Sequence, residues 1–222
     1  MNLKDLKLED LSDSKQIKIK RILEAAKIEF NINGITNSKI SNIAKRANVG
    51  EASIYRYFTE KLYLVKFVAF DYWKEQREVF DKYKHDNIDN KLNGLEKIKA
   101  YLGLFIEMYY NHRGFLKFTE DLDSYLVPSK TTEDENEFFQ HINYIKQTFA
   151  EIFEEGIQDG SVKSELIASD SLCFVSQVMI STTQKIALRL GYNHISDDKY
   201  AVNCLNNTID MFINHISNKK AE

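Results

Sequence analysis

The sequence predicts an all-α fold of about nine helices. Three observations carry that prediction. Proline occurs once, at Pro128, and glycine eight times in 222 residues, so few points interrupt a helix. Apolar residues recur at three- and four-residue spacing, and the period-two alternation of a half-buried strand is absent. Capping residues and glycine stops stand where the helical runs begin and end.

In the first helix Ile19, Ile22, Leu23, Ala26 and Phe30 share one face, with Asp13 or Ser14 as cap and Asn33-Gly34 as stop. A second helix opens at Ser38 and turns Ile40, Ile43, Ala44 and Ala47 inward, and a third covers 51–58. Thr59 caps a long fourth helix that ends near the polar stretch 85–93. Further helices are predicted over 94–111, 114–126, 135–158, 166–190 and 197–217. Gly191 punctuates the last pair, Ser196 or Asp197 caps the final helix, and loops fall at 111–114, 128–134 and 159–164. No internal repeat or low-complexity tract appears.

With 43% hydrophobic and 12% aromatic residues the chain can bury a core, which excludes global disorder. The net charge of −3 hides a division. Residues 14–62 carry ten basic side chains against four acidic, whereas residues 63–222 carry 18 against 25. A basic segment on an acidic body is the electrostatic footprint of a polyanion-binding module. Cys173 and Cys204 sit in apolar helical runs without metal-ligand spacing, and are expected to be buried, reduced thiols. No run approaches the roughly 20 apolar residues of a membrane span, and residues 1–15 lack the apolar core of a signal peptide. The expectation is a soluble, cytoplasmic protein with no membrane partner.

The chemistry concentrates in 41–61, SNIAKRANVGEASIYRYFTEK. Asn48-Val49-Gly50 joins two short helices, and a helix-turn-helix needs one turn residue in the left-handed region. Asn48 fills that place, Val49 plugs the angle and Gly50 serves as the next cap. The second helix then enters the major groove of double-stranded DNA. Ile54 and Phe58, four apart, face inward, which leaves Glu51, Ala52, Ser53, Tyr55, Arg56 and Tyr57 outside. Small Ala52 and Ser53 admit base edges, Glu51 suits a cytosine amino group, and tyrosine hydroxyls and Lys61 suit phosphates. Ser38, Lys39 and Gly50 complete the candidate DNA-binding set.

The run ILEAAKIEFNINGITNSKISNIAKRANVGEASIYRYFTEKLYL resembles the DNA-binding segment of TetR-type transcriptional regulators. The matching positions are Ile22, Leu23, Ala25, Ala26, Phe30, Gly34, Ile43, Ala44, Ala47, Val49, Ser53, Ile54, Tyr55, Tyr57, Phe58, Lys61 and Leu64. Asn48 stands where the family has glycine, and Gly50 where it has a capping serine. The resemblance implies a DNA-binding domain over 12–62 and an effector-binding and dimerisation domain over 63–222. It implies a homodimeric repressor released from its operator by a small-molecule effector, with an activator equally compatible. A helical small-molecule-binding protein with a vestigial DNA module is the alternative of another class.

For the dimer the apolar stripes of the last two helices are candidates: Val175, Val178, Met179, Thr182 and Ile186, with Leu205, Ile209 and Phe212. For the effector pocket they are the aromatics Trp73, Phe105, Tyr109, Phe115, Phe118 and Tyr144. Glu107 points away from the stripe formed by Leu102, Phe105, Ile106 and Tyr109, and is expected to face solvent. The acidic run Glu133-Asp134-Glu135 reads as a solvated loop.

No catalytic or metal-binding signature is present: G-x-S-x-G, H-E-x-x-H, a phosphate-binding glycine loop and C-x-x-C are all missing. The five histidines are scattered, and Asp121-Leu122-Asp123-Ser124 lacks the glycine of a calcium loop. Neither an enzyme nor a cofactor is expected.

Overall fold

The computed structural model describes residues 11–126, 135–190 and 197–218. The loop at 128–134 with the acidic run beginning at Glu133, the N-terminal ten residues, Gly191 and Ser196 lie outside them. Ten helices are found among the described residues: α1 (Asp13–Asn37), α2 (Ile40–Ala47), α3 (Glu51–Tyr57), α4 (Lys61–Asn87), α5 (Gly94–Leu102), α6 (Leu104–Asn111), α7 (Arg113–Leu126), α8 (Glu135–Gln158), α9 (Ala168–Arg189) and α10 (Asp198–Ile216). The fold is all-α, and the one β feature among the described residues is an isolated antiparallel bridge between Val162 and Ser217. The helix predicted over 94–111 is two, because Gly103 tightens one turn between them and its amide donates to both Lys99 and Ala100 carbonyls. A side chain there would meet the Tyr83 hydroxyl.

The chain divides into two compact units, 1–75 with 117–138 and 76–116 with 139–222. α4 and α7 each contribute to both.

In the first unit the predicted stripe of α1 is inside: Ile19, Ile22, Leu23, Ala26 and Phe30 are all buried. Ile40, Ile43, Ala44 and Ala47 of α2, Ile54 of α3 and Phe58 join them. α1 bends at Gly34, whose φ of 75° belongs to the left-handed side that glycine tolerates. Buried charges tie α1 to its neighbours. Lys27 places its ammonium 2.7 Å from both Asp71 and Glu75 of α4 and 4.7 Å from the Tyr72 ring centroid. Burial alone would lower its pKa, but the hydrogen bonds to Asp71 and Glu75 outweigh this and raise it. The carboxylates of Glu24, Asp71 and Glu75 lie close enough to share one cation, and Lys27 supplies it.

In the second unit an aromatic chain runs from Phe80 to Tyr101, Phe149 and Phe153, with successive centroids 5.6, 5.4 and 5.7 Å apart. α5 begins with a capping box, Asn93 and Glu96 exchanging side-chain and backbone bonds. Gly94 packs against Gly156 of α8 so closely that a Cβ would overlap that backbone. Its amide donates to Asp159 at 2.6 Å. Asp197, one of the two predicted caps, accepts from the Tyr200 amide at 2.8 Å and starts α10.

Candidate DNA-binding surface

α2 and α3 meet at the turn foreseen from composition. Asn48 is the one non-glycine residue with positive φ among the described residues, at φ 52° and ψ 51°. Asparagine reaches this region more easily than other side chains, so the missing glycine is tolerated. Val49 follows with its amide donating to the Ala44 carbonyl at 3.0 Å. Gly50 then takes the extended conformation of a cap, and its carbonyl accepts from Ser53 at 2.9 Å. A Cβ at Gly50 would meet nothing within 4 Å, so room is left for the side chain it lacks.

α3 presents the outer face that the spacing predicts. Ile54 and Phe58 are buried, while Glu51, Ala52, Tyr55 and Arg56 are exposed and Ser53 and Tyr57 half-exposed. The Arg56 guanidinium lies 5.3 Å from the Tyr57 ring centroid, which holds both side chains together. Lys39 is exposed at the N-terminal end of α2.

Two candidates sit elsewhere than expected. Ser38 is buried and donates its hydroxyl to the Gly34 carbonyl at 2.6 Å, with Glu29 O at 3.2 Å. It therefore neither caps α2, which starts from Lys39, nor offers a hydroxyl to DNA. Lys61 donates to the Thr36 carbonyl at 3.0 Å, and partial burial lowers its pKa against the opposing pull of Asp121. Thr59 does not cap α4 either; the Glu60 carbonyl accepts the Leu64 amide at the start of that helix.

Three supports of this surface had weak or no sequence signal. Glu29 is buried and accepts from Asn33 and Asn42 at 2.9 Å, with Arg46 at 3.5 Å, pinning α2 to α1. Burial would raise its pKa, but the bonds from Asn42, Asn33 and Arg46 hold it below the ordinary carboxylate value. Arg21 donates to the Ala47 carbonyl at 2.7 Å and closes the end of α2. Asp121 of α7 accepts from the Ile35 amide across 86 positions of sequence. Only Lys27, set between Leu23 and Phe30 on the apolar stripe of α1, is betrayed by its position.

The aromatics singled out for the effector pocket serve several ends. Phe118 is packed between Phe30 (6.2 Å) and Tyr72 (5.0 Å) in the core of the first unit, to which Trp73 also belongs. The other four belong to the second unit. Phe115 is buried and Phe105 half-buried. Tyr109 is fully buried and donates to Asp198 at 2.8 Å, beside Arg113 at 2.6 Å from the same carboxylate. Burial and that carboxylate push its pKa up to about 12. Tyr144 donates to Asp81 at 2.6 Å under the Arg77 guanidinium, a surface arrangement. Glu107 is half-buried and accepts from Asn111 at 2.7 Å.

Six of the eight dimer candidates face their own core: Val175, Met179, Ile186, Leu205, Ile209 and Phe212 are each at most 6% exposed. The most apolar face of each helix has gone inward, as hydrophobic burial favours. Val178 and Thr182 remain half-exposed, and Phe174 and Met211 reach 61% and 74%. The thiols were also misplaced, since Cys173 is exposed and Cys204 half-exposed.

Comparison with known proteins agrees with this geometry. Residues 22–66 match the model of the family described as bacterial regulatory proteins, tetR family. The fatty acid metabolism regulator protein of Bacillus subtilis (strain 168) is 26% identical over 211 residues, spanning 92% of this chain and 98% of that one. The crystal structure of the transcriptional regulator FadR from Bacillus subtilis in complex with stearoyl-CoA superposes with a TM-score of 0.59 at 22% identity, over 89% of this chain and 98% of the other. The fatty acid degradation regulator FadR from Bacillus halodurans gives a TM-score of 0.63 at 15% identity, over 87% and 97%. The left-handed turn at Asn48 between two short helices lies inside the segment, residues 22–66, that matches the tetR family of bacterial regulatory proteins.

Proposed function

We propose that the chain is a homodimeric, sequence-specific DNA-binding repressor of fatty acid metabolism, released from its operator by a long-chain acyl-CoA. The outer face of α3 carries the DNA-binding part, because it offers small and polar side chains with the backbone free to approach base edges. The acyl-CoA part rests on likeness to a fatty acid metabolism regulator along nearly the whole of both chains. A stearoyl-CoA-bound structure of similar fold supports it. The effector acts only by binding the two states of the protein unequally.

The dimer seam proposed is the set of apolar side chains that α9 and α10 leave outside. Phe174, Val178 and Leu188 fall on one face of α9, and Tyr200, Cys204 and Met211 on one face of α10. Two copies then bring two α3 helices to half-sites about one turn of DNA apart.

The test is fluorescence anisotropy with a labelled fragment of DNA from upstream of the chain's own gene, titrated in salt and then in stearoyl-CoA. Tight binding with a steep negative salt slope, relieved by micromolar stearoyl-CoA but not by free CoA, is expected. Equal, weak binding to random DNA would overturn the DNA reading. Indifference to the thioester would overturn the effector.

A further inference from the structure

The corner between α1 and α2 is held from α7. At Gly34 the backbone turns to positive φ, and the next amide, Ile35, points at the Asp121 carboxylate and donates to it. A Cβ on Gly34 would stand 3.3 Å from Asp121 Oδ2, so glycine gives the carboxylate its approach as well as the bend. One turn further along α7, Tyr125 presents its ring 5.9 Å from Lys61 Nζ, and Lys61 donates in turn to Thr36 O in the same corner. Asp121 and Tyr125 are four residues apart and share a face of α7. The corner leads directly into Lys39 and α2, whose far end sets the turn before α3.

α7 is one unbroken helix, and its first residues belong to the second unit. There Arg113, eight residues before Asp121, is fixed to Asp198 at the start of α10. α7 thus makes one bond in each unit, Arg113 to Asp198 and Asp121 to the Ile35 amide.

From this we infer that Asp121 is a positioning residue for DNA binding: through its bond to the Ile35 amide, the setting of α7 fixes the setting of α2 and α3. The part of this inference that concerns the effector rests on the acyl-CoA reading above. A ligand that moves α7 acts on DNA affinity by loosening that bond.

Three variants separate positioning from mere stability. Asp121→Ala removes the acceptor. Asp121→Asn keeps a carbonyl oxygen in its place. Leu122→Ala empties a buried site on the next residue without touching the corner. Operator-fragment affinity is measured for each without ligand at a temperature where circular dichroism shows all to be folded. Asp121→Ala is expected to weaken binding about tenfold, with Asp121→Asn and Leu122→Ala within about threefold of the parent. Hydrogen exchange at residues 34–38 should speed up only in Asp121→Ala. Parental affinity in Asp121→Ala, or an equal loss in Leu122→Ala, overturns the inference.

Stearoyl-CoA is then added as the probe, and its relief of DNA binding should shrink in Asp121→Ala. If it leaves the parent protein bound to DNA, the effector reading fails while the ligand-free comparison still decides the role of Asp121.

Discussion

Lys61 gives its ammonium to the Thr36 carbonyl at 3.0 Å, so the cation that sequence assigns to a phosphate is already engaged in holding the α1–α2 corner. A phosphate must share it. Lys61→Ala should therefore weaken operator and random DNA by a similar factor while flattening the salt slope by less than the roughly one unit of a free contact. Anisotropy at four salt concentrations decides this, and a selective loss on the operator would refute it.

Ser53 carries the sequence-reading prediction. It is half-exposed on α3, with its amide bonded to the Gly50 carbonyl. Ser53→Ala should relax preference at one base pair, by about 1 kcal/mol, and leave non-specific binding as it was. Binding to a panel of single-base operator variants would show it; an unchanged preference profile counts against the role.

Glu29 should make the stability of the first unit sensitive to acid. Burial would raise its pKa, but the bonds from Asn42, Asn33 and Arg46 outweigh this and hold it below the ordinary carboxylate value of the unfolded chain. The stabilisation is fully present above that unfolded value and disappears as pH falls through the depressed folded one. Glu29→Gln should cost about 1–2 kcal/mol at neutral pH, and the difference from the parent should shrink toward pH 3. Urea unfolding at several pH values measures it. A constant difference would mean the charge does not matter.

The turn should accept repair. Gly50→Ser places a hydroxyl at an open cap position, and is expected to stabilise by a few tenths of a kcal/mol. Asn48→Gly should be neutral or slightly stabilising, and Asn48→Val destabilising, because only the last resists positive φ. Midpoints of thermal unfolding rank the three variants.

Gly94 and Gly156 let α5 and α8 touch backbone to backbone. Gly94→Ala forces them apart, and should lower stability by about 1–3 kcal/mol without altering DNA affinity per folded molecule. An unfolding curve that does not shift would show that the helices can part freely.

Much of the first unit was legible because its rules are local. The stripe of α1, the four inward residues of α2 and the left-handed Asn48 each follow from spacing or backbone preference within a few positions. What failed depended on which partners the folded chain brings together, near or far in sequence. Ser38 looked like a cap until Gly34 and Glu29 claimed its hydroxyl, and Asp121 had nothing in its own neighbourhood to mark it. In α9 and α10 the period of the stripe was read correctly but not its destination. An apolar face fits a protomer core and a dimer seam equally well, and only packing showed that Met179 and Leu205 point inward. The aromatics proposed for the pocket met the same ambiguity, and Phe118 resolved into core.

The sequence contains two thiols, and they differ in reach: Cys173 is exposed beside Phe174, while Cys204 is half-covered. A maleimide dye should therefore mark α9 first, with no engineered cysteine needed. If Phe174 lies in the seam between copies, the labelling rate will fall as protein concentration rises. The midpoint of that fall is the dissociation constant of the dimer, read by a reporter already present in the chain.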